Sequence, residues 1–545
     1  MVKNILSLLN ARQNSILSGA LILMVAVFAS KFLGLIRDRL LVHNFDTSTA
    51  SIYFAAFKLP DLLFQLLIFG AISVAFIPVF TEHLQRKGGE EAFKFASNLL
   101  NLSLLVFGLA SLVAFFLIPF LNLFFAPGFT GHQKVLTDQL TRLIMISQWI
   151  LVIGSFFIAV AQSYQRFIIP ALAPLFYNIG IIAGIVLLSP IFGIAGPAMG
   201  AIIGSLLHML VQIPLIRSLR FKYSLSFNIF DKGVGEVFKL MSMRNIGLIV
   251  EQINDVVGFA LATLISLASP TLLTFAHHLQ TVPIGLFGAT IAQAALPVLS
   301  REQAQSERES FKVTLLTTLH QILFLTLPAA AILIVLRIPV VRLVFGASQF
   351  NWTDTVLTGR TVALFSLGLT AQSVILLLVR GFYALKDTKT PVIVSIISVF
   401  FNITLSMILV RVFNWDVWSL GLSYAVSINI ALLLLIFFLN RKIGGFDRKS
   451  LFNPALKMIL ASLVAAAALY IPMKALDQLV FDTTRTVNLI ILTGIASFVG
   501  ISIYIFLVWF MKVRELHTFA QLLKNIYQKQ VNVKSEEIVK ESSTL

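Results

Sequence analysis

Polar and titratable side chains stand in four stripes inside stretches that are otherwise apolar. Near the start, Ser30, Lys31, Gly34, Arg37 and Asp38 fall within an arc of about 120° when each residue turns a helix by 100°. Lys58, Asp61 and Gln65 follow at i, i+3 and i+7; Arg244, Glu251, Asn254 and Asp255 form a third stripe, and Thr274, His277, His278 and Thr281 a fourth. A charge at bilayer depth costs several kcal/mol unless it meets water, a partner or a substrate, so these residues are candidates for binding. Lys31, Arg37 and Lys58 suit an anion, with Asp38, Asp61, Gln65, Glu251, His277 and His278 as polar contacts. Glu251 and Asp255, one turn apart beside Asn254, suit a cation or a proton. A competing reading has Lys58 with Asp61, Arg37 with Asp38 and Arg244 with its acidic neighbours merely neutralising one another, and the histidines packing without a third metal ligand. Walker A, G-x-S-x-G and H-E-x-x-H patterns are all missing, which argues against an enzyme.

The elements that must position these stripes are set by composition. Of 545 residues 58% are hydrophobic and 12% charged, and the mean hydropathy is +0.92, values of an all-α polytopic membrane protein. Apolar stretches at about 16–42, 50–80, 92–124, 137–165, 170–190, 193–217, 237–266, 271–299, 313–346, 356–384, 390–411, 416–440, 453–473 and 486–511 predict about fourteen spans. Pro60, Pro170, Pro174, Pro283 and Pro391 fall inside them and are expected to mark bends. The net charge of +17 belongs to loops rather than to a nucleic-acid surface. Connections after even-numbered spans hold clusters such as Arg86 and Lys87, Arg217, Arg220 and Lys222, and Arg441 and Lys442, whereas those after spans 1, 5 and 7 hold no Lys or Arg. Both termini are therefore expected in the cytoplasm, with the first helix retained.

The chain also matches itself. Phe69-Gly70-Ala71 with Pro78-Val79 recurs as Phe287-Gly288-Ala289 with Pro297-Val298, and Tyr164, Pro170 and Asn178 recur as Tyr383, Pro391 and Asn402, at shifts of 218 to 224 residues. Such a shift spans six helices, an even number, so both copies enter the membrane in the same direction. The expected organisation is an N-lobe at 1–222, a C-lobe at 223–445, two further helices at 446–512 and a polar tail at 513–545. Leu516, Phe519, Leu522, Leu523 and Ile526 give that tail the spacing of a short interfacial helix.

Three segments then carry a family resemblance: Ser30-Lys31-Phe32-Leu33-Gly34-Leu35-Ile36-Arg37-Asp38, Phe57-Lys58-Leu59-Pro60-Asp61-Leu62-Leu63 and Gly70-Ala71-Ile72-Ser73-Val74-Ala75-Phe76-Ile77-Pro78-Val79-Phe80. With Pro174 through Asn178 and Asp387-Thr388-Lys389-Thr390-Pro391, they resemble the MurJ/MviN family of lipid II flippases in the MOP exporter superfamily. The resemblance covers about residues 20–510 and implies two pseudo-twofold-related six-helix lobes, a central cationic cavity, and helices 13 and 14 forming a groove for a polyprenyl tail. It implies movement of lipid II, an undecaprenyl-pyrophosphate-linked glycan, from the cytoplasmic to the outer leaflet of the bacterial inner membrane for peptidoglycan synthesis. Some members place sodium between helices 7 and 11, for which Asp255, Asp387 and Thr404 are the nearest residues here. Protons or the membrane potential, worth about 2.3 kcal/mol per charge per 100 mV, are the other expected drives.

The match has gaps. The family's first-helix arginine pair appears as Lys31 and Arg37, its second-helix arginines as Phe64 and Gln65, two acidic positions as Ser51 and Phe69, and its eighth-helix arginine as His278. Charge survives in part, but several bidentate guanidinium forks are lost. A flippase for another polyprenyl-linked glycan, a cation-coupled exporter of small amphiphiles and a scaffold without transport remain open as alternatives.

Overall fold

The computed structural model describes residues 16–69, 75–479, 485–517, 519 and 521, and every element among them is helical. In chain order these are α1 (Ile16–Asn44), α2 (Thr47–Phe64), α3 (Ile77–Lys87), α4 (Gly89–Phe125), α5 (Gly131–Ser163), α6 (Ile168–Ala183), α7 (Ser189–Phe192), α8 (Ala195–Leu210), α9 (Ile213–Ser218) and α10 (Lys232–Ile265). There follow α11 (Ser269–Pro283), α12 (Thr290–Ala304), α13 (Arg308–Val335), α14 (Arg337–Phe345), α15 (Trp352–Ser366), α16 (Leu369–Ala384), α17 (Lys389–Met407), α18 (Trp418–Lys442), α19 (Arg448–Leu479) and α20 (Thr486–Phe510). Among the described residues eleven helices are long and apolar enough to cross a membrane, and twelve if α15 with α16 counts as one span. The expected first and seventh spans coincide with α1 and α10, which include side chains outside the described residues.

Short polar side chains start these helices. The Asp46 carboxylate accepts from the Ser48 and Thr49 amides at 3.1 and 3.3 Å, and Asp231 caps α10 through Gly233 and Val234. Among the described residues complete π-helical turns occur at Gln65–Phe69, Gly184–Leu188, Ile284–Ala289 and Ile408–Val412. The first recurs as the third after 219 residues and the second as the fourth after 224, the spacings at which the sequence matches itself. Pro283 leads directly into such a turn. Pro170 and Pro391, expected at bends, instead occupy the third position of α6 and α17, where a missing N–H breaks no helical bond.

The chain forms two compact units. One comprises residues 1–286, 340–368 and 389–431. Its aromatic core stacks Phe76 on Phe80 at 5.1 Å and on Phe95 at 6.0 Å, against Phe107 and Phe156. Within it α6 and α8 approach backbone to backbone through Gly180, Gly184, Gly196, Gly200 and Gly204; a Cβ added at Gly180 would lie 2.2 Å from the Gly204 Cα. Only glycine permits that approach, which replaces hydrophobic driving force with close van der Waals contact.

The other unit comprises residues 287–339, 369–388 and 432–545. Its core joins Phe324 of α13 to Met458, Ala461 and Ala465 of α19 and Tyr504 and Val508 of α20. The beginning of the tail docks here: Val513 is buried, Leu516 packs on the same cluster and Phe519 stacks on Phe324 at 5.2 Å. Leu522, Leu523 and Ile526 lie outside the described residues.

Gly204→Val should force α6 and α8 apart and lower stability by at least about 1–3 kcal/mol, seen as a reduced unfolding midpoint in detergent. Gly494→Ala, in open space on α20, should leave the midpoint unchanged or slightly higher; equal effects at the two sites would refute the packing argument.

Candidate functional site

The polar stripes converge inside the first unit, around two cavities. The first, of about 470 Å³, is lined by Ser30, Lys31, Gly34, Arg37 and Asp38 of α1, Pro174 and Asn178 of α6, and His278 and Thr281 of α11. The second, of about 540 Å³, takes Lys58, Asp61 and Gln65 from α2 and its π-turn, Gln148 from α5, Tyr177 from α6, Gln252 and Asp255 from α10, and Thr274 and His278 from α11. Arg37 and His278 border both.

Their junction is a closed set of polar contacts. The Arg37 Nε and Nη2 donate to one oxygen of Asp38 at 3.0 and 2.8 Å, and its Nη1 donates to the Asn178 Oδ1 at 3.2 Å. The second Asp38 oxygen lies 2.6 Å from His278 Nδ1. Asp38 is 1% exposed and Arg37 18%, so the carboxylate is held internally while the guanidinium keeps a face on both cavities. Lys31 is more open; its Nζ donates to Thr281 at 3.3 Å, a neutral partner that leaves its charge uncompensated by that bond. The α1 arc read from the sequence thus faces one cavity, and the pairing of Arg37 with Asp38 is present beside it.

The α2 stripe divides its contacts among other helices. Lys58 Nζ meets Asp255 at 2.7 Å and lies over the Phe259 ring at 4.6 Å. Asp61 accepts from Gln148 Nε2 at 2.8 Å, and Gln65 accepts from Gln252 Nε2. The competing reading of a Lys58–Asp61 pair gives way to a pair between α2 and α10, because the long lysine chain reaches the neighbouring helix while Asp61 turns to α5. His277 sets its ring 6.0 Å from Phe365 and does not line either cavity. Glu251 is exposed on α10 outside both linings, and the side chain of Arg244 lies outside the described residues.

The residues suggested for a cation have other engagements. Asp255 holds Lys58, Asp387 in the second unit lies 2.5 Å from Lys442, and the Thr404 hydroxyl donates to the Phe400 carbonyl of its own helix. Asn402 donates to Asn254 at 2.7 Å. No group of three or more His, Cys, Asp or Glu suited to a metal occurs among the described residues.

Sequence reasoning missed Gln148, Gln252, Tyr53 and Tyr177, which give the second cavity a neutral hydrogen-bonding wall. A signal existed for Gln148, an amide in the middle of an otherwise apolar span that needs a partner at that depth.

A model of the family described as lipid II flippase MurJ matches residues 44–487. The chain belongs to that family. A probable lipid II flippase MurJ of Buchnera aphidicola subsp. Acyrthosiphon pisum is 27% identical over 90% of this chain and 96% of its own length, and one of Bdellovibrio bacteriovorus is 25% identical over 90% and 95%. A solved lipid II flippase MurJ in an inward closed conformation is 26% identical, with a TM-score of 0.74 over 89% of this chain and 98% of that one. An inward-facing multidrug resistance MATE transporter of the MOP superfamily, 13% identical with a TM-score of 0.66 over 76% and 94%, shares the fold.

Asp38→Ala removes the group that Arg37 and His278 share. It should destabilise the protein by about 3–5 kcal/mol, as for other buried pairs broken on one side. The unfolding midpoint of this variant should fall well below that of Asp38→Asn, which retains an acceptor; coincident midpoints would sink the assigned role.

Proposed function

We propose that this chain translocates lipid II across the bacterial inner membrane, from the cytoplasmic to the outer leaflet. The observation that supports it is the position of Lys31 and Arg37 on one face of α1, lining the same cavity, in a chain of the lipid II flippase MurJ family. A pyrophosphate and its glycan cannot cross hydrocarbon unaided, because their lost hydration must be replaced. Lys31 supplies a mobile point charge and Arg37 a planar fork, while the glutamine and tyrosine wall offers hydrogen bonds suited to sugar hydroxyls and peptide amides. The polyprenyl tail stays in lipid, and two lobes at 1–222 and 223–445 rock about the headgroup, with helices 13 and 14 flanking the tail. Both termini face the cytoplasm. An inside-negative potential favours outward movement of net negative charge by about 2.3 kcal/mol per charge per 100 mV, a drive that requires no resident cation.

In proteoliposomes with fluorescent lipid II, Lys31→Ala and Arg37→Ala should each lower the flipping rate about tenfold or more, a loss of at least about 1.4 kcal/mol of binding to the moving headgroup. Lys31→Arg should retain most of the activity. Unchanged transport in both alanine variants would overturn the anion-binding assignment.

A second reading is favoured by one feature: Gln65 and His278 stand where the family resemblance expects arginines, so the second cavity is less cationic. Such a wall suits another polyprenyl-diphosphate glycan. Competition in a single proteoliposome preparation separates the readings: lipid II should displace a labelled polyprenyl-diphosphate oligosaccharide at lower concentration than the reverse. The opposite order would assign the chain to the other glycan.

A further inference from the structure

The connection between α9 and α10 has a construction that translocation leaves unexplained. Residues 221–228 form neither helix nor strand, yet they are tied along one turn of α4. Asn98 both donates to the Asn228 carbonyl at 2.9 Å and accepts from the Asn228 amide at 2.7 Å. Asn101 donates to the carbonyls of Ser224 and Ser226 at 3.2 and 3.0 Å, and Ser97 accepts from the Ser224 amide at 3.2 Å. Every second residue thus turns its backbone to α4, the signature of an extended strap.

Phe221 packs inward on Phe93 and the Tyr223 hydroxyl donates to the Asn101 Oδ1 at 2.7 Å, while the residues that follow between and beyond the anchors are large and apolar and are turned outward. Leu225 is 76% exposed, Ile229 65% and Phe230 92%, with Phe227 more than half exposed. The row is flanked by Arg217, Arg220, Lys222 and Lys232; the nearby Asp231 carboxylate is occupied in capping α10.

The height of the strap on α4 selects its partner. Exposed apolar residues on α4 run from Leu105 to Phe124, a belt of about 30 Å that equals the thickness of a bilayer's hydrocarbon core. The anchoring residues Ser97, Asn98 and Asn101 precede that belt by about 6–12 Å, and the polar zone of one leaflet is about 5–8 Å deep. The strap therefore lies at the level of the headgroups, where Lys and Arg meet lipid phosphates and outward-turned aromatic and aliphatic side chains reach toward the acyl chains.

We infer that residues 219–231 form a membrane-surface strap whose apolar row enters one leaflet while its flanking cations bind anionic phospholipid headgroups. The leaflet follows the orientation proposed above and is cytoplasmic; the insertion itself does not depend on that orientation. The strap joins the sixth span to the seventh, so lipid composition acts directly on the link between the repeated halves of the chain.

The absence of native cysteine makes the test direct. Full-length Leu225→Cys, Phe227→Cys and Ser226→Cys variants carry a nitroxide in nanodiscs of phosphatidylcholine, with or without phosphatidylglycerol. The ratio of collisions with oxygen to collisions with an aqueous nickel chelate should be at least about threefold higher at positions 225 and 227 than at 226. Phosphatidylglycerol should raise that ratio, and replacing Arg217, Arg220, Lys222 and Lys232 by Gln should abolish the increase. Equal nickel access at all three positions overturns the strap, as does protection at 225 and 227 that requires a copurifying protein. A membrane-impermeant maleimide applied to either face of cell-derived vesicles reads the side separately: labelling from outside would overturn the orientation while leaving insertion standing.

Discussion

A carboxylate that cannot reach water must be surrounded by donors, and in this protein that requirement organises the centre of the first unit. Asp38 is nearly inaccessible, with Arg37 on one oxygen and His278 on the other. Three helices are involved, since Arg37 also donates to Asn178 on α6. The cost of ionising groups in a low-dielectric interior makes each member dependent on the others. It also fixes where positive charge remains available: at Lys31, whose Nζ donates to the neutral Thr281 hydroxyl, and at the face of Arg37 turned to the cavities.

The same logic governs the second cavity with milder means. Lys58 is neutralised by Asp255, and the glutamines of α2's π-turn, α5 and α10 satisfy Asp61 or one another. An amide can give or take a hydrogen bond, so this wall adapts to a headgroup whose hydroxyls and amides vary in direction. A guanidinium wall would grip phosphate more firmly and select less among sugars. The first cavity thus keeps a cation without an acidic partner in its hydrogen bond, while the second pairs its lysine with a carboxylate and adds an amide wall.

Much of this was legible in the amino-acid sequence, for physical reasons. Lipid demands long apolar helices, so the spans are plain, and the α1 stripe survives because helical periodicity carries Lys31, Arg37 and Asp38 to one face. Duplication was visible at Phe69 and Phe287, and the π-turns recur at matching spacings. Partners were harder to read. Periodicity places Lys58 and Asp61 on one side of α2 but says nothing about which neighbouring helix each will meet. His277 and His278 are adjacent in sequence, yet a turn of 100° sends one toward Phe365 and the other to Asp38. Pro170 and Pro391 misled because a proline in the first helical turn and one in the interior look alike until the helix start is known. The strap escaped notice because its anchors, Ser97, Asn98 and Asn101, lie more than a hundred residues away in the chain.

The widened turns of these spans have a mechanical meaning. A π-turn holds about one residue more than an α-turn of the same rise, so resolving one into regular helix rotates everything beyond it by about 100° without breaking the rod. Gln65 occupies the first position of such a turn, directly beside the cavity wall. A helix built this way carries a ratchet tooth in its own backbone: one step presents a different set of side chains to the same void.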